Sequence, residues 1–507
     1  MLNTLSSCLA TLAPQAHIQF SISIQPKPSS TVKIRYHQNI LNASFFLPYN
    51  ENMNKNFIKE NLQISKMVNT GLGLAKDDGL TVFVEDVVTG DIIDAKVISH
   101  NKNYQKALID HIRKPSDHRV EPFCSLANVC GGCQWQYISY DYQLEAKREI
   151  VQDCLQKIAG IDIHVRPTMP ASNTKNYRSK VQYPVGQTKV SKRILAGYYK
   201  KGTHEIINIK HCPIQPKIID DVVQFFRDKA QELELTAYDE TKHKGTLRHI
   251  IFRYSKSENN MVVTLVVNDR KIHQKVRDLA TLISEEFPSV VGVVVNFNTD
   301  KTNKIIGEKS QTVIGKDFIV EKIKGVKYKI SAGSFFQVNI DSAQNILDTV
   351  KDLVRKNCQK PRILDAYSGV GTFGLYLSSL ADTIVAVEDY PQAVADAKFN
   401  IKMNMTDNIE LIEGDAKNIF QKLEAVDEKF DLVIIDPPRK GCDTEALNSV
   451  CNLSSKHIIY VSCNPATLAR DAKILEEKGF ELKSAQPVDM FCHTYHIETV
   501  AFFEKKQ

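Results

Sequence analysis

Residues Leu364-Asp365-Ala366 close a short apolar run that opens directly into Tyr367-Ser368-Gly369-Val370-Gly371-Thr372-Phe373-Gly374. Glycines at this spacing free the backbone of Cβ atoms where a strand turns into a helix. The chain can then reverse sharply and aim helix N-terminal amides at a ligand. The turn sits inside a regular alternation, with a helical stretch at 343–354 and strand-like runs at 363–366, 383–387, 409–412, 432–435 and 457–461. Strands alternating with helices predict an α/β, doubly wound parallel sheet over residues 336–507. The glycine spacing also fits a dinucleotide fingerprint, and Glu388 at the end of the next strand suits the ribose hydroxyls of NAD or of S-adenosylmethionine (SAM) equally. A turn that only packs helix against strand is the third reading.

The rest of the chain is organised differently. At 507 residues it exceeds what one core organises, and 43% hydrophobic with 24% charged residues excludes collagen-like and disordered classes. No run reaches the roughly 18 apolar residues of a membrane span, so no membrane partner is expected. Residues 58–118 alternate short apolar runs with turns at Asn69-Thr70-Gly71, Asp77-Asp78-Gly79 and Thr89-Gly90-Asp91, which predicts a small β-barrel. Residues 119–335 form a central domain: a cysteine-dense loop, a helix at 142–157, then mostly strands, the clearest at 261–267. Residues 1–57 read as an N-terminal extension, a targeting or tail segment: 1–50 lack Asp and Glu and are serine-rich, a transit-peptide-like bias that scarce arginine weakens. Translation from Met53 or Met67 is the alternative. Eleven cysteines without a secretory signal fit a reducing compartment, and a cytoplasmic monomer is expected.

The segment Asp431-Leu-Val-Ile-Ile-Asp436-Pro437-Pro438-Arg439-Lys440-Gly441 is an apolar strand ending in an acid and two prolines. In an open α/β sheet the C-terminal strand ends face the ligand crevice, so Asp436 is expected there. The next strand ends at Ser462-Cys463-Asn464-Pro465 and brings a thiol to the same rim. A buried inert thiol is the competing reading of Cys463. Glu498 precedes the apolar run of a late strand over 493–503, where it is either a site carboxylate or an edge charge facing water.

Two further features lie in the central domain. Cys124, Cys130 and Cys133, with Cys212 as a fourth thiol, have spacing that suits zinc or a [4Fe-4S] cluster, and Gly131-Gly132 gives the chain room to wrap. Lys175, Arg178, Lys180, Lys189, Lys192, Arg193, Lys200, Lys201 and Lys210 face a single acid, Glu205, between 175 and 210. Tyr177, Tyr183, Tyr198 and Tyr199 are interleaved, a mix that suits phosphate contact and base stacking on RNA.

Taken together, Asp-Pro-Pro-Arg-Lys-Gly, Ser-Cys-Asn-Pro-Ala-Thr-Leu-Ala-Arg-Asp and His-Thr-x-His-x-Glu, in that order behind Asp-x-x-x-Gly-x-Gly, resemble the RNA uracil-5-methyltransferase family from residue 60 onward. The resemblance implies that Cys463 is the nucleophile and Glu498 the base that removes the C5 proton. It implies that Gln337, Tyr367, Thr372, Glu388, Asp415 and Asp436 line the SAM pocket, and that Cys124, Cys130, Cys133 and Cys212 hold a [4Fe-4S] cluster. The 58–118 barrel resembles a TRAM domain at Gly71-Leu-Gly73, Asp78-Gly79 and Pro115-Ser116. That layout is similar to the bacterial 23S rRNA members, with transfer RNA as the close alternative substrate. Ser368 departs from the Phe-Cys-Gly or Tyr-Cys-Gly turn common in relatives.

The chemistry needs these residue types. C5 of uracil is a poor nucleophile until a thiolate adds at C6, and a carboxylate must then take the C5 proton so that the thiol can leave. The ring must be flipped out or already unpaired to be reached. A nicotinamide-dependent dehydrogenase leaves Cys463 and Asp436-Pro-Pro-Arg439 without purpose. A non-catalytic RNA-binding iron-sulfur protein would be indifferent to Cys463→Ala.

Overall fold

The computed structural model describes residues 57–506, so the extension expected at 1–57 lies outside the described residues except for Phe57. Strands β1 (Ile58–Gln63), β2 (Lys66–Met67), β3 (Gly73–Asp77), β4 (Leu80–Val84), β5 (Ile92–His100) and β6 (Tyr104–Lys114) form one sheet in the order β1-β5-β6-β4-β3-β2. Side chains alternate across a strand, so Leu62, Val82, Val84, Ile93 and Val97 gather into a core belonging to this module alone. Asp78 and Gly79 both take positive φ between β3 and β4, as a tight hairpin turn requires. The fully buried Asp91 ties the far end together, accepting from the amides of Val88 and Ser116 and pairing with Arg119 at 2.5 Å.

Helix α1 (Tyr140–Cys154) follows the cysteine loop and ends in a wide turn over Leu155–Ala159. The central sheet then takes β7 (Lys180–Gln187), β8 (Ile194–Ala196), β9 (Leu247–Ser255), β10 (Asn260–Val267), β11 (Val290–Phe297) and β12 (Lys309–Gly315) in the order β12-β11-β10-β9-β7-β8. Helices α2 (Lys217–Glu232) and α3 (Gln274–Glu286) contribute Phe226, Leu279 and Ile283 to its core. A hairpin, β13 (Phe318–Ile323) and β14 (Val326–Ser331), leads to the C-terminal sheet.

That sheet is built from α4 (Ile340–Asn357), β15 (Arg362–Ala366), α5 (Thr372–Leu377), β16 (Thr383–Glu388), α6 (Pro391–Met403), β17 (Ile409–Glu413) and α7 (Ala416–Ala425), followed by β18 (Phe430–Ile435), α8 (Thr444–Leu453), β19 (Ser454–Ser462), α9 (Pro465–Glu477), β20 (Phe480–Val488) and β21 (Glu498–Lys505). Its order is β17-β16-β15-β18-β19-β21-β20, parallel through β19, with β21 antiparallel between β19 and β20. Leu432, Val433, Ile434 and Ile435 of β18 are all fully buried, alternately feeding the cores on the two faces. A strand covered on both faces cannot alternate polar with apolar, which is why this run reads as unbroken hydrophobicity. Each such side chain stabilises the fold by about 1.5–3 kcal/mol relative to exposure. The order reverses between β15 and β18, and the crevice at such a reversal, outside the C-terminal strand ends, is where these sheets bind ligands.

Candidate active site

Three strand tips converge at that crevice. Asp436 directly follows β18 and Cys463 directly follows β19. The β18–β19 register pairs Ile435 with Tyr460, and the β19–β21 register pairs Ser462 with Thr499, so one further step sets Cys463 level with Glu498. Glu498 is 3% exposed on a strand inside the sheet, which removes the water-facing edge reading. The turns around the thiol are laced together: Asn464 caps α9 through Ala466 N at 3.1 Å, and its Nδ2 donates to the Arg439 carbonyl at 3.3 Å. Asp471 of α9, which the motif reading passed over, accepts from Cys442 N at 3.0 Å and Tyr460 OH at 2.7 Å and so holds the Arg439–Cys442 turn in place.

Electrostatics bind these groups into one unit. Burial first, then the neighbouring Glu498 and Asp436 charges, push the Cys463 thiol up to about 12, while Arg439 opposes them. Burial, reinforced by Asp436, lifts Glu498 well above the carboxylate range, and burial pushes Asp436 up to about 7. Like charges in one dry site disfavour each other, and an opposite charge nearby favours the ionised forms.

The glycine turn forms the adjoining wall. Glu388 accepts from Gly369 N at 2.8 Å and Tyr390 N at 2.9 Å, and Asp365 accepts from Gly374 N at 2.8 Å. The other Asp365 oxygen and the Ser368 hydroxyl are buried with no partner. Tyr367, Gly369 and Gly371 all take positive φ, and a Cβ on Gly369 would meet nothing within 4 Å. The turn therefore has open space above it and unsatisfied polar atoms around it, which fits a polar ligand held against bare backbone. Asp365 is pushed up to about 7 by burial, with Asp436 and Glu388 adding to the shift, and Tyr367 feels Asp415, so these residues share one rim. Thr372 opens α5 and its carbonyl accepts from Tyr328 OH at 3.2 Å. Asp415 is exposed and caps α7 through Asn418 N at 3.1 Å, so part of its carboxylate is already engaged. Gln337 is half-buried two residues ahead of Asn339, the cap of α4. Sequence reasoning missed Asp365 as a site residue, although its place at the mouth of the glycine turn was the available signal.

The N-terminal module reaches this site as well. Asn69 Nδ2 lies 3.4 Å from the side-chain oxygen of Asn464, and a Cβ on Gly71 would sit 2.4 Å from the Tyr495 ring. Trp135, fully buried, donates from its indole to the Gly71 carbonyl at 3.0 Å.

The four central cysteines come together. Cys124, Cys130, Cys133 and Cys212 line one small cavity with Gly132 and Tyr198. Burial pushes Cys133 up to about 11 and Cys212 up to about 12, with the neighbouring thiols adding to both shifts. The Tyr198 hydroxyl is buried and unpartnered. Among the described residues no group of three or more His, Cys, Asp or Glu is set to hold a metal ion. Of the cysteines assigned to packing, Cys154, Cys442, Cys451 and Cys492 are buried and Cys358 is half-buried, while Cys8 lies outside the described residues.

One expectation is corrected. Tyr177 and Tyr183 are in the core of the central sheet, with Tyr198 packed edge-on against Tyr183 at 4.8 Å. Tyr198 and Tyr199 are both half-buried, and Tyr199 stacks on His204. The alternation of β7 turns Tyr183 inward and Tyr177, in the loop ahead of it, packs into the same core, so neither offers a face to bases.

A doubly wound sheet with a glycine turn after its first parallel strand and an acid closing the second serves several nucleotide- and SAM-binding classes, and the likeness to known proteins selects the SAM-dependent methyltransferases. Residues 139–506 match the tRNA (uracil-5-)-methyltransferase family. An uncharacterized RNA methyltransferase of Halalkalibacterium halodurans is 38% identical over 90% of this chain and 98% of its own. One of Clostridium tetani is 37% identical over 87% and 95%. Among solved structures, the tRNA (uracil-54, C5)-methyltransferase of Pyrococcus abyssi, in complex with S-adenosyl-L-homocysteine, superposes with a TM-score of 0.69 at 27% identity, covering 88% of this chain and 99% of that one. The chain belongs to the tRNA (uracil-5-)-methyltransferase family and is a SAM-dependent RNA methyltransferase.

Proposed function

We propose that the protein methylates C5 of a specific uridine in RNA through a covalent adduct of Cys463, with Glu498 as the base. The observation that carries this reading is the meeting of Cys463, Glu498 and Asp436 at three neighbouring strand tips beside the glycine turn. Bound SAM supplies the methyl group and, through its sulfonium, a positive charge. Glu388, Tyr367, Thr372, Asp415, Asp436 and Gln337 would hold it, with Asp365 bracing the turn from below. The Cys463 sulfur, as thiolate, forms a bond to C6 and drives the ring electrons toward C5, which then takes up the methyl group. The Glu498 carboxylate removes the C5 proton, the C6–S bond breaks, and the thiolate is restored. The SAM sulfonium and Arg439 both favour the thiolate, since an opposite charge lowers a raised thiol.

The four thiols around one cavity support a [4Fe-4S] cluster with a structural role, because methyl transfer moves no electron. Iron and sulfide analysis with the visible absorbance spectrum tests this, and a colourless anaerobic preparation with stoichiometric zinc would overturn it. The module at 58–118 is read as a TRAM domain that helps hold RNA in a cytoplasmic monomer. This layout supports large ribosomal RNA as substrate. Transfer RNA is the second reading, favoured by the Pyrococcus protein. Incubation with tritiated SAM and unmodified ribosomal or transfer RNA, followed by digestion, should place label in 5-methyluridine alone. Label in any other nucleoside would contradict the reading.

A further inference from the structure

The nine residues between β20 and β21 must deliver Glu498 to the thiol, yet they form no regular structure. Asp489, Met490 and Cys492 are fully buried in this segment, and His493 and Thr494 nearly so. Buried backbone of this kind needs hydrogen-bond partners from elsewhere. The Met169 carbonyl accepts from Asp489 N, Ser342 Oγ and Asn339 Nδ2 at the start of α4 donate to the Asp489 and Met490 carbonyls, and Tyr177 OH donates to that of Cys492; the other partners come from α1 and the residues leading into it. Lys147 Nζ pairs with Asp489 Oδ1 at 2.6 Å, both side chains wholly inaccessible, and also donates to the Phe491 carbonyl at 3.2 Å. Tyr140 OH donates to the other Asp489 oxygen at 2.8 Å. Gln143 Oε1 accepts from His493 N at 3.0 Å, while Trp135 N donates to the His493 carbonyl at 2.9 Å. His493 itself takes a φ of +63°, a conformation that persists in a side-chain-bearing residue only when its surroundings enforce it.

Resting on the reading of Glu498 as the base, we infer that Lys147 and Asp489 are positioning residues that hold the segment carrying Glu498 against the site. A buried ion pair is weak support for stability, because a well-packed apolar pair often serves as well. What this pair supplies is direction: two opposed charges and a tyrosine hydroxyl admit one placement of the segment. A base displaced by about 1 Å loses rate steeply. The step that suffers is removal of the C5 proton, which follows methyl transfer, so a displaced segment should leave the methylated RNA attached to Cys463.

The test uses the full chain, tritiated SAM and whichever RNA the unaltered protein labels. Lys147→Met strands the Asp489 charge, so it is paired with Lys147→Met/Asp489→Leu, which strands none, and with Gln143→Met, which removes the His493 contact without touching a charge. The expected result is first-turnover methylation within about twofold of the unaltered protein, steady-state turnover lower by about tenfold, and a methylated RNA–protein band that survives denaturant, as for Glu498→Gln. Equal loss of first-turnover and steady-state rates, or no loss, would overturn the inference. Should the double variant fail to fold, Gln143→Met decides on the same readings. If Glu498→Gln retains the adduct and these variants do not, the inference alone fails. If Glu498→Gln turns over freely, the reading beneath it fails.

Discussion

Cys463 and Cys212 are both thiols raised by burial, and their neighbours differ in kind. Burial pushes Cys463 up to about 12, and it does the same to Cys212. Around Cys463 the neighbours are two carboxylates and the Arg439 guanidinium, an ensemble whose balance a cation or a substrate can tip. Around Cys212 the nearest ionisable neighbours include Cys133, Cys130 and Asp220, beside apolar walls. Desolvation alone therefore does not mark a nucleophile. The partners decide: mixed charge at strand tips suits turnover, whereas several thiols turned toward one cavity suit permanent ligation.

The contrast is broken most severely by Cys463→Ala, which should abolish 5-methyluridine formation in the tritium assay while Cys124, Cys130, Cys133 and Cys212 are intact. Glu498→Gln comes next, with turnover lower by roughly 10²–10⁴-fold and methylated adduct accumulating on denaturing gels. On the other side, the proposed cluster predicts that Cys212→Ser removes iron and visible absorbance and lowers the melting temperature, with nucleophile chemistry lost only as far as the fold is lost. A variant that keeps its iron would separate Cys212 from the ligand set.

Proton linkage sharpens the comparison further. Asp365 and Asp436 are pushed up to about 7 in the folded protein, above the roughly 3.9 of an unfolded aspartate. The folded state then binds more protons than the unfolded state between these values, so the associated stability is full below about pH 4 and is lost as pH rises through about 7. The melting temperature of the ligand-free protein should fall between pH 5 and pH 8, and SAM should restore it at pH 8 more than S-adenosylhomocysteine, which lacks the sulfonium charge. Equal rescue by both would remove the sulfonium from the account. The smallest effect is Gly71→Ala, whose Cβ would meet Tyr495 at a positive φ. It should cost about 1–3 kcal/mol in denaturant melts and leave 5-methyluridine as the product.

The catalytic sheet was legible because its parallel strands run into residues with chemistry: Glu388 closing β16, Asp415 just past β17, Asp436 after β18 and Cys463 after β19. Strand-end position is a local property, and the periodicity of the chain reports it. Tyr177 and Tyr183 were misread because composition says that aromatics and cations share a segment, while packing against the central core decides which of them face water. The Lys147–Asp489 pair had no signal at all, since its partners stand 342 residues apart and neither belongs to a motif. Asp471 was hidden for a milder reason: it lies within Ser-Cys-Asn-Pro-Ala-Thr-Leu-Ala-Arg-Asp, yet its task of holding the Arg439–Cys442 turn appears only once α9 is folded against β19 and β20.

The central claim is that the Cys463 sulfur bonds to C6 of a uracil. Transcripts in which every uridine is replaced by 5-fluorouridine test it most directly, because Glu498 can remove a proton from C5 but not a fluorine. With SAM present, the account predicts a denaturant-stable, methylated RNA–protein species whose RNA maps to the peptide containing Cys463. Attachment at any other residue, or full turnover with no adduct, would contradict it.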